Sequence, residues 1–450
     1  MITCPVINSI APRGVTRSHD VLAWRTNPNL PESELRDALE CVRGLVGEDF
    51  LWEPGWHPLR ELWRRPDHVA TCELFWLGCC LLALSPMDRT WVNRAVAKIK
   101  LPQRSRKDRT GAVFEIIALG SLRIGGHRVM PAANSQSGYD GTVVLDDDRE
   151  IRISIKNFGR SDNQVEFDRQ SAMTRDHLLR LAAAIRMPWL GLRIDADALP
   201  MIIDWFYLRL ALPAFLTGTA PHARIADIWR VQKTWPGPSP HGLAAGFTSH
   251  SIFIAAPHAE SEVHGFRRNV HRAISNIERY ATDFPMGAHP VVIIKIPTSA
   301  SMSECIAAAR SFLERPGVRT ASVFLYQSSI IGNPETRQDS LHHNMSVVSR
   351  SSEANPFALH FSLPVGLVST NPSRSELWVG STVENLDTMH TFYESTQYET
   401  YPADENGLGS ASSWTLSPGQ QHIGVLEALP GMRMVFELSH PPRSDLALFL

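Results

Sequence analysis

Glu115, Asp140 and Lys156 are the residues of this 450-residue chain whose types and spacing best fit a catalytic site. Mg²⁺ prefers oxygen ligands such as carboxylates, and it keeps several of its waters when a protein binds it. A lysine beside the ion can orient or deprotonate one of these waters, or stabilise a pentavalent phosphate. The three residue types therefore point to hydrolysis of a phosphodiester.

Asp140 and Lys156 are predicted to lie on two antiparallel strands joined by a short turn. The second strand has an apolar face and a polar face, because its residues alternate in character. The apolar residues are Ile151, Ile153 and Ile155, and the polar residues are Arg152, Ser154 and Lys156. Asp140 shares the polar face if it pairs opposite residue 154 or residue 156. Three-residue loops at 146–148 or 147–149 give these two registers.

Glu115 is predicted to project from a helix that immediately precedes this hairpin. Apolar residues recur at helical spacing through residues 111–122. They are Val113, Ile116, Ile117, Leu119 and Leu122. A helix carboxylate, a strand carboxylate and a strand lysine can therefore converge on one divalent cation.

This pattern resembles the PD-(D/E)xK nuclease superfamily, in which a helix Glu, a strand Asp and a (D/E)xK strand form the metal site. The resemblance covers residues 109–187, under a fifth of the chain. It implies a restriction-endonuclease-like α/β fold, with a mixed sheet flanked by helices, and Mg²⁺ or Mn²⁺ as cofactor. By the same resemblance Asp140 is the metal-bridging acid, Glu115 the helix acid and Lys156 the catalytic lysine. Gln170, on a long helix predicted over residues 164–185, takes the place of a glutamine found in many members.

The sequence departs from the superfamily pattern at the second strand acid, because Ser154 stands in its place. In some members this acid has migrated to the following helix, where Glu166 is the candidate metal ligand here. Glu150 is six residues before Lys156, which is too far along the strand. Two hypotheses follow. One is a Mg²⁺- or Mn²⁺-dependent endonuclease that cuts DNA, with RNA as a further candidate substrate. The other is an inactive nuclease-fold subunit that binds nucleic acid or assembles with a partner.

Three regions are predicted along the chain. Residues 1–100 form a helical N-terminal region, and residues 101–233 form the nuclease-like α/β domain. A boundary follows, because three prolines fall within residues 236–240. Residues 241–450 form a recognition or docking module that begins as α/β and becomes rich in strands after about residue 339, including strands at 357–363, 376–379 and 432–438. The two most apolar stretches, residues 74–84 and 201–215, are predicted to be buried helices, since they are too short or too charged to span a membrane.

Net charge excludes binding of nucleic acid by bulk electrostatics, because 44 basic residues are balanced by 46 acidic ones. A polyanion must therefore meet a local basic surface. One candidate is the run that contains Arg104, Arg106 and Lys107, and the other is a helix face with Arg268 and Arg272. A solvated surface is the competing interpretation for both.

Several other classes are disfavoured. The chain has no GxSxG, P-loop, GxGxxG or HExxH motif, and its six cysteines lack metal-ligand spacing. No signal peptide is visible at the N-terminus, so a cytoplasmic protein is expected. A nuclease in the cytoplasm needs gating, and prokaryotic defence, through restriction or a short Argonaute-type partner, would supply it. The expectation of an Argonaute-type partner rests on similarity of architecture to the nuclease subunits that accompany short Argonautes.

Overall fold

The structure is a computed structural model of the 450-residue chain. It describes residues 30–65, 68–102, 106–132, 138–145, 149–159, 161–185, 187, 189–233, 248–280, 288–333, 338–350, 359 and 361–364. Towards the C-terminus it describes the strands that lie between residues 367 and 435. The helices in this part of the chain are α1 (Glu32–Val46), α2 (Glu48–Trp52), α3 (Pro58–Arg64), α4 (His68–Leu84), α5 (Arg89–Ile99), α6 (Arg106–Ile124), α7 (Asp162–Ala184), α8 (Ile202–Thr217), α9 (Glu260–Arg279) and α10 (Met302–Leu313).

The described strands are β1 (Arg128–Pro131), β2 (Gly141–Val144), β3 (Glu150–Asn157), β4 (Trp189–Ala196), β5 (His222–Ile225), β6 (Trp229–Lys233), β7 (Thr248–Pro257), β8 (His289–Lys295), β9 (Ser322–Asn333), β10 (Gln338–Ser349), β11 (Leu367–Ser369), β12 (Glu376–Val379), β13 (Thr382–Asn385), β14 (Met389–Tyr398), β15 (Thr400–Pro402), β16 (Ser412–Leu416), β17 (Gln420–Gly424) and β18 (Arg433–Val435). The α/β class, with mixed sheets flanked by helices, is confirmed. Among the helices described, none is both long and apolar enough to cross a membrane.

The described part of the N-terminal region is helical, with α1 to α5 between residues 32 and 99, and it packs in one core with the first sheet. Asp88 begins α5 by accepting a hydrogen bond of 2.8 Å from the Trp91 N–H. Gly120 lets α6 approach α4, since a Cβ atom at residue 120 would lie 2.4 Å from the Cys80 Cβ. Residues 74–84 are mostly buried in α4, and this prediction is confirmed.

The first sheet has seven strands in the order β1-β2-β3-β8-β9-β10-β11. Strands β1, β2 and β3 are antiparallel neighbours, whereas β3, β8 and β9 run parallel. One face packs in a core with α4 and α6 and includes Ile151, Ile153 and Ile155. The other face packs against α9 and α10 through residues such as Val292 and Ile294. The sheet that carries Asp140 and Lys156 is therefore covered by helices on both faces.

The second sheet has five strands in the order β14-β7-β4-β6-β5, and α7 and α8 pack against it. Both sheets contain strands from before and after residue 234, so the two predicted α/β units share their sheets. The predicted boundary at residues 234–240 lies outside the described residues.

The sequence patterns miss some short strands and predict one that is not seen. Strands β1, β5 and β6 were not expected, because four or five residues of mixed polarity give little periodic signal. The strand expected at residues 357–363 is not found where the structure describes this segment, since residues 359 and 361–363 are irregular. Strand β18 accounts for three of the residues 432–438, and the others lie outside the description.

Candidate active site

The hairpin of β2 and β3 adopts the first of the two predicted registers. Gly141 pairs with Ile153 and Val144 pairs with Glu150. The Leu145 N–H donates to the Arg149 carbonyl at 2.9 Å, so three residues, 146–148, separate this last pair. Asp140 directly precedes the first pair of this register, and its carboxylate lies beside the side chains of Ser154 and Lys156.

Asp140 directly precedes the first residue of β2, and its carboxylate accepts a hydrogen bond from the backbone of β3. The Asp140 N–H donates to the Ile153 carbonyl at 2.7 Å. The Ile155 N–H, the next backbone donor of β3 on the side of β2, donates to Asp140 Oδ2 at 2.5 Å. Because backbone N–H groups of a strand point along the plane of the sheet, the carboxylate is held in that plane, where groups from either face can reach it.

Lys156 and Ser154 complete the surroundings of Asp140 Oδ2. Lys156 Nζ lies 3.3 Å from this oxygen and donates a second hydrogen bond of 3.0 Å to the Ile155 carbonyl. Ser154 Oγ lies 3.5 Å from the same oxygen, and Ser154 is buried. All described contacts of the Asp140 carboxylate are thus made by Oδ2, and Oδ1 accepts no hydrogen bond from the residues described.

Glu115 approaches Asp140 from α6, on the opposite face of the sheet. A Cβ atom at residue 141 would lie 2.6 Å from Leu119 Cδ2, so the glycine lets α6 pack directly on the start of β2. Glu115 precedes Leu119 by one helical turn and faces the same way. The close approach that needs Gly141 therefore brings Glu115 to the level of the Asp140 carboxylate.

The electrostatics of Glu115 link it to both of the other predicted residues. Burial raises the pKa of Glu115, and the nearby Asp140 carboxylate raises the pKa further. Lys98 and Lys156 act in the opposite direction, since their charges lower the pKa of Glu115. Among the described residues none donates a hydrogen bond to the Glu115 carboxylate. The structure thus brings together Asp140, Glu115 and Lys156, and it adds Lys98 from α5, whose role the sequence patterns did not indicate.

Three contacts fix the turn before β2 and the end of β3. Gly138 has φ +72°, and a Cβ atom there would lie 1.9 Å from the Tyr280 ring, so this position requires glycine. The Arg152 guanidinium stacks on the Tyr139 ring at 4.6 Å. Asn157 Nδ2 donates to the Thr110 carbonyl at 2.9 Å, which ties the end of β3 to the first turns of α6. These contacts hold the two carboxylates and the lysine in a common frame.

Glu166 and Gln170 lie in a different network on α7. Glu166 forms an ion pair of 2.6 Å with Arg169 and accepts a hydrogen bond of 2.9 Å from Gln170 Nε2. Gln170 is buried, and its Oε1 accepts from Arg209 of α8 at 2.8 Å. Arg169 holds the pKa of Glu166 below its usual value. Among the described contacts none joins Glu166 or Gln170 to Asp140, so the structure does not bring them to the site.

The predicted basic residues divide into several groups. Arg104 and the side chains of Arg106 and Lys107 lie outside the described residues. Their neighbours Lys100 and Arg109 have structural partners, since they donate to the backbone carbonyls of residues 46 and 101. Lys98 is exposed and lies near Glu115.

Arg268 and Arg272 are exposed on α9, together with Arg279. These three residues lie opposite the buried face of the helix, and the structure describes no ion pair for them. The helix ends beside Tyr280, the ring that packs on Gly138 two residues before Asp140. The C-terminal end of α9 therefore lies near the candidate site, and its arginines lie on the side of the helix that faces away from the sheet.

The site offers two carboxylates to a cation. Where the chain is described, no group of three or more His, Cys, Asp or Glu side chains could hold a metal ion. Mg²⁺ is commonly bound through one or two carboxylates and keeps several waters, so a pair of carboxylates is sufficient for it. Asp140 Oδ1 and the Glu115 carboxylate, neither of which has a described hydrogen-bond donor, fit this role.

Comparisons of the chain with protein-family models, with curated proteins and with solved structures found no match. Its function therefore has to be inferred from its own residues and their geometry.

Proposed function

We propose that the chain is a Mg²⁺- or Mn²⁺-dependent endonuclease with a restriction-endonuclease-like nuclease core. One observation carries the proposal. A lysine ammonium lies 3.3 Å from a carboxylate that is itself electrostatically coupled to a second, partly buried carboxylate. Two neighbouring carboxylates disfavour each other's ionisation, and a divalent cation between them removes this cost. The arrangement thus favours a cation site with a fixed ammonium at its edge.

The roles of the residues follow from their positions. Asp140 Oδ1 and Glu115 would hold the cation, which when bound polarises a phosphoryl oxygen and makes water a better nucleophile. Lys156 is held by Asp140 and the Ile155 carbonyl, so its ammonium is fixed before substrate arrives. From there it stabilises the negative charge that develops on the phosphate in the transition state. Ser154 lies beside Asp140 Oδ2 and adds no charge to the site.

The proposed substrate is DNA, and the arginines of α9 support a polyanionic substrate. Arg268 and Arg272 are four residues apart on one helix face, where like charges destabilise a helix by about 0.2–0.5 kcal/mol. Such a pair is more readily explained if phosphates bind there than if it only contacts water. RNA has the same backbone charge, and a gated role in prokaryotic defence with an Argonaute-type partner stays a prediction.

Cleavage of a supercoiled plasmid tests the proposal. The wild-type chain should nick or linearise plasmid with Mn²⁺ or Mg²⁺ and be inactive with a chelator, and Asp140→Asn should be inactive with either cation. Glu150→Gln is a matched control, because this acid lies on the same hairpin but is paired with Arg152. Glu166→Ala should stay active, since Arg169 already pairs its carboxylate. Cation-dependent cleavage by Asp140→Asn equal to that of the wild type would refute the proposed site.

A second candidate function is an inactive nuclease-fold subunit that binds nucleic acid. The observation that favours it is Ser154, a buried uncharged residue where the superfamily pattern has an acid. The plasmid assay separates the two functions, because this subunit would bind DNA without cutting it under any of the cation conditions.

Binding of the cation should reverse the effect of Glu115 on stability. Without cation, Glu115→Gln should raise the melting temperature at neutral pH, because it removes a partly buried charge beside Asp140. The raised pKa means that the folded chain binds the proton more tightly than the unfolded chain. Stability without cation should therefore fall as the pH rises through the pKa of Glu115.

With cation the order should invert. At a Mn²⁺ concentration of about 100 Kd the wild type gains about 2.7 kcal/mol, and Glu115→Gln should gain much less. Thermal unfolding with and without Mn²⁺ measures both effects, and Glu34→Gln, an exposed glutamate on α1, is the control. Equal stabilisation of wild type and Glu115→Gln by Mn²⁺ would exclude Glu115 as a ligand.

A further inference from the structure

Helix α8 exposes a wide apolar surface, although the sequence pattern over residues 201–215 predicts a buried helix. That prediction is wrong for half of the helix. Trp205, Leu208 and Leu212 are buried against the second sheet, but the opposite side is exposed. The exposed apolar residues are Leu199, Met201, Ile202, Ile203, Phe206, Tyr207 and Leu210, and Met173 of α7 lies beside them. We call these eight residues the α8 surface. A helix that is apolar on all sides is normally covered on all sides.

The size of the α8 surface matches one half of a protein interface. Its members are between 44% and 66% exposed, with Met201 and Leu210 the most exposed. Together they present roughly 800 Å² of surface, which is about what each partner contributes to a stable complex of standard size. Contiguous apolar patches of this size on a monomer usually mark an interaction site.

The α8 surface has a ridge and a groove at different positions along the same helix. The ridge consists of Met201, Ile202 and Ile203 at the start of α8. The groove has a volume of about 450 Å³ and lies between α7 and the second half of α8. Its lining combines apolar residues with His177 and three charged residues, and consists of Met173, Asp176, His177, Arg180, Phe206, Arg209, Leu210 and Pro213. The ridge residue Ile202 and the groove residue Leu210 are about 12 Å apart along the helix axis, because an α-helix rises about 1.5 Å per residue and eight residues separate them.

We propose that the α8 surface binds a second copy of this chain in a two-fold symmetric dimer. A two-fold axis that crosses α8 near Phe206 and Tyr207 places the ridge of each copy in the groove of the other. Such an interface is self-complementary, because residue 202 meets residue 210 of the partner and residue 210 meets residue 202. The eight residues are uncharged, as in the apolar cores of homodimer interfaces. This proposal is independent of the nuclease chemistry.

Sedimentation of the full-length chain tests the proposal. The wild type should sediment at twice the mass of the chain at micromolar concentration. Ile202→Lys and Leu210→Glu should each sediment as monomers, with dimer affinity lowered by at least about 100-fold, because each places a charge in an apolar contact twice per dimer. Leu82→Glu, which changes an exposed leucine of α4, should leave the dimer intact. The circular dichroism melting curves of the variants should match that of the wild type, since all three positions are exposed.

Mixing the two monomeric variants tests the register directly. In a mixed dimer, the lysine introduced at position 202 of one chain meets the glutamate introduced at position 210 of the other, and the second contact stays apolar. An equimolar mixture of the Ile202→Lys and Leu210→Glu chains should therefore dimerise, although neither does so alone. A monomeric wild type, as expected if another segment of the same chain covers α8, would overturn the proposal. A dimer that survives Leu210→Glu, or a mixture that stays monomeric, would also overturn it.

Discussion

Replacing Lys156 by alanine should lower the rate of plasmid cleavage by about 10²- to 10⁴-fold, the range for loss of a positioned acid, base or charge-stabilising group. The fold should persist, because the neighbouring residues Ile153 and Ile155 stay buried against α6. Lys156→Arg should not restore activity. The planar guanidinium cannot occupy the compact position of an ammonium 3.3 Å from Asp140 and does not lose its proton.

Affinity for the cation distinguishes this result from damage to the site. The Lys156 ammonium opposes a second positive charge near Asp140, so Lys156→Ala should bind Mn²⁺ at least as tightly as the wild type does. Loss of cleavage with retained Mn²⁺ affinity, measured by calorimetry, is the expected combination. Lys233→Ala is a matched control. Lys233 is on β6 of the second sheet and donates to backbone carbonyls near the end of α8. Cleavage by Lys156→Ala at the wild-type rate would exclude Lys156 from the reaction.

The part of the site that is local in sequence could be predicted from sequence. The alternation from Ile151 to Lys156 and the short turn before it fix which face each side chain occupies, so the position of Asp140 beside Lys156 follows from the hairpin. The helix that carries Glu115 was also predictable, because its apolar residues recur at helical spacing. It does not immediately precede the hairpin as expected, since β1 lies between them. The close approach of α6 to Gly141 could not be predicted from the sequence, because it depends on the contact with Leu119 that the structure shows.

The long-range parts of the site could not be predicted in this way. Lys98 reaches the site through packing of α5 on α6, for which the sequence carries no periodic signal. Strand β8 pairs with β3 although more than 130 residues separate them, so the predicted domain order did not indicate a shared sheet. Glu166 was inferred from its place on the following helix, but Arg169 at the i+3 position pairs its carboxylate. Contacts between distant segments decided the first two outcomes, and a local contact within α7 decided the third.

The same dependence on distant contacts explains why the α9 arginines gain significance only in the structure. In sequence, Arg268 and Arg272 fit a solvated helix face as well as a binding face. Arg279 lies on the same side of the helix by its spacing in sequence, and the structure shows that all three arginines are exposed. It also places the end of α9 on Gly138, beside the hairpin that carries Asp140. Arginines on the outer side of a helix whose C-terminal end lies beside the candidate site are suited to bind a phosphate backbone next to that site.

Replacing Arg268, Arg272 and Arg279 together by glutamine should weaken DNA binding strongly and make it less sensitive to salt. Each phosphate contact contributes about 0.9 to the slope of log K against log salt concentration, so the slope should fall by about 2 to 3. Affinity at moderate salt should fall by about 10- to 1,000-fold, and the effect should be similar for different DNA sequences, because phosphate contacts carry no base information. Fluorescence anisotropy of a labelled duplex in the presence of a chelator measures binding without cleavage.

A control with the same change in net charge separates a local surface from bulk electrostatics. Arg36, Arg224 and Arg230 are surface arginines that pair with acidic residues, so changing all three to glutamine removes the same charge away from α9. This control should bind DNA nearly as well as the wild type, with an almost unchanged salt slope. If both triple variants lose affinity for DNA equally, the three arginines of α9 form only a solvated helix face. If the α9 variant binds normally but the wild type still cuts plasmid, the substrate reaches Asp140 and Lys156 from another side of the sheet.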